Sequence, residues 1–300
     1  MVAWMVFKIK SIQETCLEEI KMMKILVTGA NGYIGSKVVK QLCDLNVDVM
    51  ATDFDNTNID GRAHFIKANI FEKKDNWYEF FGKPDVCLHL AWRDGFVHNS
   101  DKHMLDLSSH YAFITNLIDN GLPTIVSMGT MHEIGYWEGA IDENTPCNPL
   151  SQYGIAKNAL RKSIELYALN KSCKFMWLRA YYIYGDDLYG NSIFCKIRQA
   201  VKDGKTTFPF TTGKNKYDFI HIDELAKQIA LCSMQDKILG IINCCSGKPV
   251  SLAEQIEWYI AHNRLPITLD YGKYPDRPYD SPYVYGDNTK IQLILRNKNN

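Results

Sequence analysis

The chain has 300 residues and a mass of 34.4 kDa, enough for two domains of average size at about 150 residues each. Hydrophobic residues make up 46% and charged residues 23% of the sequence, a balance that excludes extensive disorder. Lys and Arg number 34, and so do Asp and Glu, which gives a formal net charge of zero. Because nucleic-acid binders usually carry a basic surplus, we expect no nucleic-acid partner.

The nine cysteines are scattered along the chain and never form a CxxC pair. This pattern indicates neither a disulfide framework nor a metal site, and it is typical of a reducing cytoplasm. No run of about 18 apolar residues exists, so we expect no membrane span. Residues 1–23 begin with a short apolar run that Lys8 and Lys10 interrupt, and they lack a small-residue cleavage site. We interpret them as an N-terminal extension rather than a secretory signal.

Short apolar runs alternate with helical patterns from Lys24 to about Arg179. The runs are 24–28, 47–52, 85–91, 124–129 and 175–180, and the helical patterns are 35–45, 101–120 and 151–170. We interpret the runs as buried parallel strands. The alternation predicts an α/β fold with a doubly wound (Rossmann) parallel sheet.

The regular alternation fades after Arg179, where Tyr, Gly, Asp and Pro become frequent. Such a change predicts a smaller, partly irregular C-terminal lobe whose loops contact substrate. The predicted organisation is an extension at 1–23, a Rossmann domain at 24–180 plus 219–246, and a substrate lobe at 181–218 plus 247–300.

A glycine-rich segment directly follows the first strand and opens a helix. Gly29, Gly32 and Gly35 have the spacing G-x-x-G-x-x-G. In a dinucleotide-binding loop the first glycine forms the tight turn, the second lets a pyrophosphate approach the backbone, and the third lets helix and strand pack closely. The helix N-terminus would offer N–H groups to the phosphates. A structural turn needs glycine too, but the strand before and the helix after favour a dinucleotide site.

Asp53 closes the second predicted strand, 18 residues after Gly35. An acid at this position can accept hydrogen bonds from an adenosine ribose, and it would repel a 2′-phosphate. Residues 54–58 contain no Arg or Lys that could bind such a phosphate. The sequence therefore favours NAD(H) over NADP(H) as cofactor, although a solvated loop acid would also fit the pattern.

A Tyr-x-x-x-Lys pair on a helix places a phenol and an ammonium group on one face. The cation lowers the pKa of the phenol, which can then exchange a proton with an alcohol oxygen. The spacing occurs three times, at Tyr33/Lys37, Tyr153/Lys157 and Tyr167/Lys171. Tyr33 lies inside the glycine loop, and Tyr167 lies at the far end of a helix. Tyr153 begins the helix that follows the strand at 124–129, where a doubly wound sheet holds its ligand. Of the nearby hydroxyls, we favour Thr130 after the strand over Ser127 within it as the assisting group.

These motifs resemble the extended short-chain dehydrogenase/reductases, and more narrowly their NAD-dependent epimerases, dehydratases and reductases of nucleotide sugars. The matching segments are TGANGYIG (28–35), HLAW (89–92), Thr130, YGIAK (153–157), LRAYYIYG (178–185), YDFIHIDELA (217–226), INCCSG (242–247) and RPYD (277–280). They occur in the family's order and cover the chain from Lys24 to about Leu295.

The resemblance implies a role for each matching residue. Tyr153 would be the acid/base, Thr130 would assist it, and Lys157 would bond the nicotinamide ribose. Arg277 would clamp the nucleotide diphosphate, and His132 and Tyr182 would contact the sugar. The implied cofactor contacts are Gly29, Asn31, Gly32, Tyr33, Ile34, Gly35, Asp53, Asn69, Ile70, Leu90, Ala91, Tyr153 and Lys157.

The sequence departs from the family pattern at the sugar end. Family dehydratases carry Asp-Glu just after the Thr, whereas this chain has Met131 and His132 there, with Glu133 one position late. Because elimination of water needs a proton donor and a base, this change disfavours a 4,6-dehydratase. Three further positions carry rings instead of family polar residues: Tyr182 and His110 for asparagines, and Tyr217 for an arginine. His110 and His132 are either sugar contacts or structural residues.

Two reactions remain for a nucleotide-diphosphate sugar. The favoured one is NADH-dependent reduction of a 4-keto-6-deoxy sugar, such as dTDP-4-keto-6-deoxyglucose, in the synthesis of surface polysaccharides. The alternative is 4-epimerisation through a transient 4-ketone. A non-catalytic NAD-binding regulator is disfavoured because both Tyr153 and Lys157 are present. By analogy with the family, we expect a homodimer formed through helices 101–120 and 151–170.

Overall fold

The computed structural model describes residues 22–185, 192–275 and 280–297. Strands β1 to β14 span Lys24–Thr28, Asp48–Thr52, His64–Phe65, Val86–His89, Thr124–Thr130, Gly139–Ile141, Lys174–Ala180, Tyr182–Tyr184, Thr207–Pro209, Lys216–His221, Gly240–Cys244, Pro249–Ser251, Thr268–Asp270 and Tyr283–Gly286. Helices α1 to α9 span Tyr33–Asp44, Trp77–Phe80, Lys102–Leu105, Leu107–Asp119, Gln152–Asn170, Ile193–Lys202, Ile222–Ser233, Leu252–His262 and Thr289–Asn297.

Seven strands form one sheet in the order β11-β7-β5-β4-β1-β2-β3, and every neighbouring pair is parallel. The predicted α/β doubly wound sheet is therefore confirmed. The chain runs from β1 outward to β2 and β3, then returns to the other side of β1 through β4. This reversal opens a crevice at the carboxyl ends of β1 and β4, where doubly wound proteins bind ligands.

Apolar residues cover both faces of the sheet, as its continuous hydrophobic strands require. Helices α1, α7 and α9 pack on one face, with Val38, Leu225 and Ile291 in a common core. Helices α4 and α5 cover the other face, and Phe113 and Leu160 belong to the core there. The sheet is thus buried on both sides, which leaves its carboxyl edge as the place for a site.

A second sheet, ordered β12-β10-β14-β6, covers this carboxyl edge, and β8 pairs with β10. It has its own core, with Phe194, Tyr217 and Tyr259. The packing crosses the predicted domain boundaries in two places. Strand β6 lies within 24–180 but pairs with β14, and α9 lies within 247–300 but packs on α7 and β11.

The predicted helix at 101–120 is interrupted at Asp106, between α3 and α4. The Asp106 carboxylate accepts a hydrogen bond from Arg93 Nε at 2.7 Å, so this junction is tied to the segment after β4. The eight cysteines in the described ranges are all free. Within the same ranges, none of the helices has the length and apolar character needed to cross a membrane.

Candidate active site

A cleft of about 1780 Å³ lies between the carboxyl edge of the seven-stranded sheet and the second sheet. It brings together most of the residues that the sequence predicts for the site. Those that line it are Gly29, Gly32, Tyr33, Ile34, Gly35, Asp53, Asn69, Ile70, Leu90, Ala91, Thr130, His132, Tyr153, Lys157 and Tyr182. Arg277 lies outside the described residues.

The glycine loop is packed too closely for any side chain at two of its positions. Gly29 has φ +69°, and a Cβ there would lie 2.6 Å from the Ala91 nitrogen. A Cβ on Gly35 would lie 2.0 Å from the Gly29 carbonyl oxygen. Within the described part of the chain, no side chain caps the start of α1 and no acid occupies its first turn. This helix start suits the NAD pyrophosphate, because nothing competes with an anion for its amides.

Asp53 is fixed at the end of β2 by two backbone groups. Its carboxylate accepts hydrogen bonds from the Asn31 N–H at 2.9 Å and from the Phe54 N–H at 2.8 Å. The Asn31 side chain does not line the cleft. It donates to Asp55 at 2.6 Å and accepts from the Asn58 N–H at 2.7 Å, so it holds the loop beyond β2. Asn31 therefore supports Asp53 rather than reaching into the cleft, unlike the sequence-based expectation.

Tyr153 and Thr130 meet where α5 begins and β5 ends. The Ser151 hydroxyl caps α5 by accepting from the Gly154 N–H at 3.2 Å, which sets the helix start beside the strand end. Burial raises the pKa of Tyr153, and a hydrogen bond with the Thr130 side chain partly opposes that rise. Ser127, the other candidate hydroxyl, is buried within β5 and has no hydrogen-bond partner among the residues that the structure describes. The favoured hydroxyl is thus the one beside the tyrosine.

Lys157 lies one turn further along α5 and is only 3% exposed. Its ammonium group donates to the Met128 carbonyl oxygen at 2.7 Å. It also lies over the Trp92 ring, with Nζ 3.9 Å from the ring centroid. Burial lowers the pKa of Lys157 to about 7, and the negative charge of Glu133 opposes this shift. These contacts hold Lys157 at the cleft, and the groups around it determine whether it is protonated.

His110 belongs to a buried chain of hydrogen bonds behind the cleft. Its Nδ1 lies 2.9 Å from His89 Nε2, and His89 Nδ1 lies 2.9 Å from the Thr28 hydroxyl. The His110 ring also stacks on Trp92, with centroids 4.5 Å apart. Burial lowers the pKa of His89 to about 3 and also lowers that of His110, so both rings are neutral at pH 7. Of the two earlier interpretations, the structural role fits His110.

Glu133 is fully buried and directed away from the cleft. Its Oε1 accepts hydrogen bonds from the Thr130 N–H and from Trp177 Nε1, both at 2.8 Å. Its Oε2 lies 3.5 Å from Arg161 Nε and 3.6 Å from Arg179 Nη2. The carboxylate therefore closes a capping box around Thr130, and its oxygens face buried partners.

Aromatic and histidine rings line the end of the cleft opposite the glycine loop. Tyr182 stacks on Tyr217 with centroids 4.4 Å apart, and Tyr182 lies 6.5 Å from His132. The His98 ring stacks on Tyr153 at 5.6 Å, and the His98 carbonyl accepts the Tyr153 N–H at 2.9 Å. The sequence assigned no role to His98, which lies in no motif, or to the Trp92 side chain, although Trp92 closes the HLAW segment.

A model of the NAD dependent epimerase/dehydratase family matches residues 25–245. The chain belongs to this family. It is therefore an extended short-chain dehydrogenase/reductase-type enzyme that uses NAD(H) and modifies nucleotide sugars.

Individual members of the family resemble the chain to different degrees. A dTDP-6-deoxy-L-talose 4-dehydrogenase (NAD(+)) of Aggregatibacter actinomycetemcomitans is 41% identical over 274 residues, covering 88% of this chain and 99% of that protein. A putative UDP-glucose 4-epimerase of Methanocaldococcus jannaschii is 29% identical and covers 77% and 79%.

Solved structures of the family share the fold at low sequence identity. The UDP-N-acetylglucosamine 4-epimerase of Methanobrevibacter ruminantium superposes with a TM-score of 0.79 at 19% identity, covering 92% of each chain. The UDP-glucose 4-epimerase of Thermotoga maritima gives 0.76 at 22% identity, covering 90% and 92%. These structures support the fold and do not choose among the possible reactions.

Proposed function

We propose that the enzyme interconverts a dTDP-linked 4-keto-6-deoxy sugar and the corresponding 4-alcohol with NADH and NAD⁺. The relative with 41% identity supports this reaction, because its name describes oxidation of a dTDP-6-deoxysugar at the 4-position with NAD⁺. Reduction is the same reaction in reverse. The proposed substrate for reduction is dTDP-4-keto-6-deoxy-L-mannose, since oxidising 6-deoxy-L-talose at C4 gives this ketone. The assignment rests on the near full-length match together with Tyr153, Thr130 and Lys157 in one cleft.

Each residue of the cleft has a defined part in the proposed reaction. When bound, NADH supplies the hydride that converts the C4 carbonyl carbon into an alcohol carbon. Tyr153 donates its phenolic proton to the carbonyl oxygen, so the alcohol forms without a free alkoxide. The Thr130 side chain forms a hydrogen bond with Tyr153, and this bond partly opposes the rise in the Tyr153 pKa that burial causes. The resulting phenolate regains its proton from water, which balances the reaction.

The rings at the sugar end support a 6-deoxy substrate. The stacked pair of Tyr182 and Tyr217 offers an apolar face where the family pattern has an amide and a guanidinium. Burial raises the pKa of Tyr182, so its hydroxyl stays neutral. A methyl group at C6 fits such a face better than a carboxylate, because a desolvated charge without a partner is unfavourable.

The experiment measures NADH absorbance with dTDP-4-keto-6-deoxy-L-mannose and identifies the product by NMR. We expect one NADH consumed per sugar and a 4-alcohol of the talose configuration. The reverse reaction, dTDP-6-deoxy-L-talose with NAD⁺, should generate NADH. Interconversion of an unreduced nucleotide hexose at C4 without net NADH consumption would instead identify a 4-epimerase and overturn the proposal.

Such a reaction would supply precursors for surface polysaccharides in the cytoplasm, and both of these assignments stay proposals. The expected homodimer is also a proposal. Exposed leucines on the outer surface of α5 support it, since Leu166 is 63% and Leu169 is 76% exposed. Light scattering of the full chain should give twice the mass of the monomer, and a monomeric mass would contradict the dimer.

A further inference from the structure

Trp92 occupies a position between Lys157 and His110. One side of its ring faces the Lys157 ammonium group, 3.9 Å from the ring centroid. The His110 ring stacks on Trp92 with an interplanar angle of 12° and a centroid distance of 4.5 Å. The indole Nε1 donates to His103 Nδ1 at 3.0 Å. The ring is therefore held by stacking and by a hydrogen bond, with its π surface at the cation.

Lys157 depends on few other groups for stabilisation of its charge. Its hydrogen bond goes to a neutral acceptor, the Met128 carbonyl oxygen. It forms no ion pair with any carboxylate in the described ranges, and the negative charge that acts on it, Glu133, is itself bonded to Thr130 and Trp177. The other titratable neighbours are Tyr153 on the same helix, 6.0 Å from Nζ, and the neutral pair of His89 and His110.

We infer that Trp92 is a positioning residue that keeps Lys157 in its ammonium form and directs it at the nicotinamide ribose. The inference rests on the ribose-binding role proposed for Lys157. A cation that has lost its water is stabilised by the electron-rich face of an indole more than by any other aromatic ring. Because His110 is neutral, it packs on Trp92 without placing a second positive charge behind the ring.

The surroundings explain why this site requires an aromatic ring. An aliphatic side chain would fill the same space but would leave a nearly buried ammonium with one carbonyl partner. Burial alone disfavours the charged form of a lysine. A carboxylate in place of the ring would also stabilise the Lys157 ammonium group, but it would repel the pyrophosphate of the cofactor in the same cleft. The indole stabilises the cation without adding a negative charge.

The test measures the dissociation constant of NADH by calorimetry between about pH 6 and about pH 9 for wild type, Trp92→Leu and Trp92→Phe. NADH affinity should fall as the pH rises through the pKa of Lys157, because the neutral amine binds the ribose less well. Without the ring, the pKa of Lys157 falls further, so the decline should begin about one pH unit lower in Trp92→Leu. If only the ammonium form binds well, NADH binding by that variant should be about fivefold weaker at the wild-type midpoint, and the difference should approach about tenfold at higher pH.

Trp92→Phe separates the π surface from the hydrogen bond, because phenylalanine keeps a ring but cannot donate to His103. It should restore most of the wild-type pH profile. In the Lys157→Met background the profile should be flat, and adding Trp92→Leu should not move it. Circular dichroism and thermal melting establish that each variant folds.

Two results would overturn the inference. One is an NADH affinity lowered by the same factor at every pH in Trp92→Leu, as a purely structural residue would produce. The other is a profile in Trp92→Phe that moves as far as that in Trp92→Leu. NADH binding requires no sugar, so this test can be carried out even if the proposed 4-keto reduction is wrong. Failure of one proposal can therefore be distinguished from failure of the other.

Discussion

The two ends of the cleft use different parts of the polypeptide. At the cofactor end, backbone atoms create the site, and close contacts at Gly29 and Gly35 leave no room for side chains. At the sugar end, side chains create it, with Tyr182 stacked on Tyr217 and His98 stacked on Tyr153. Backbone geometry suits a ligand common to a whole family, whereas side-chain rings can change from one member to the next without disturbing the fold.

The largest expected effect concerns Tyr153, at the junction of the two ends. Tyr153→Phe removes the proton donor, so kcat should fall about 10³-fold, while the dissociation constant of NADH stays within about twofold. Steady-state kinetics and calorimetry measure the two quantities. The matched control is Tyr167→Phe, which alters another Tyr-x-x-x-Lys pair whose hydroxyl bonds to Asp119 on the surface. Full activity in Tyr153→Phe, or equal loss in the control, would refute the assignment.

A smaller effect is expected for Gly35→Ala at the cofactor end. The new Cβ would lie 2.0 Å from the Gly29 carbonyl oxygen, so the loop must shift. Such overpacking costs roughly 1–3 kcal/mol, and we expect both a lower melting temperature and at least about tenfold weaker NADH binding.

The control for the glycine loop is Gly61→Ala, where a Cβ would meet nothing within 4 Å. It should change neither quantity. If Gly35→Ala binds NADH as tightly as wild type, the backbone geometry of the glycine loop does not control cofactor binding. The contrast between the two ends of the cleft would then be wrong.

The smallest expected effect concerns the sugar end. Tyr182→Leu removes the stack on Tyr217, worth about 1 kcal/mol, and should raise the KM for the sugar about fivefold while leaving NADH binding unchanged. Tyr182→Phe keeps the stack and should stay within about twofold of wild type. If the leucine variant weakens NADH binding as much as sugar binding, the two ends are not independent.

The periodicity of the sequence predicts most of the central sheet. Each of the five predicted strands matches an observed strand within two residues, because continuous apolar runs are required where both faces are buried. Strands His64–Phe65 and Gly240–Cys244 at the two edges were not predicted. The first has only two residues, too few for a pattern, and the second lies after Arg179, where the regular alternation of strands and helices has faded.

The sequence also predicts one part of the candidate site and misses another. Spacing locates Gly29, Asp53 and Tyr153, since local motifs fix their positions relative to the sheet. It does not reveal that the Asn31 side chain bonds to Asp55, 24 residues away, instead of lining the cleft. Nor does it reveal that Trp92 covers Lys157, because that contact joins the segment after β4 to the second turn of α5.

Helix α9 has a consequence for the order in which the chain can fold. Its Ile291 and Ile294 complete the core that β1 begins some 270 residues earlier in the sequence, on the surface of α7. A growing chain therefore leaves the part of α7 that faces α9 uncovered until α9 itself has been synthesised, although α1 can already pack on the rest of α7. Because contacts this distant in sequence form late and slowly, this surface is where incomplete chains would be most exposed to aggregation.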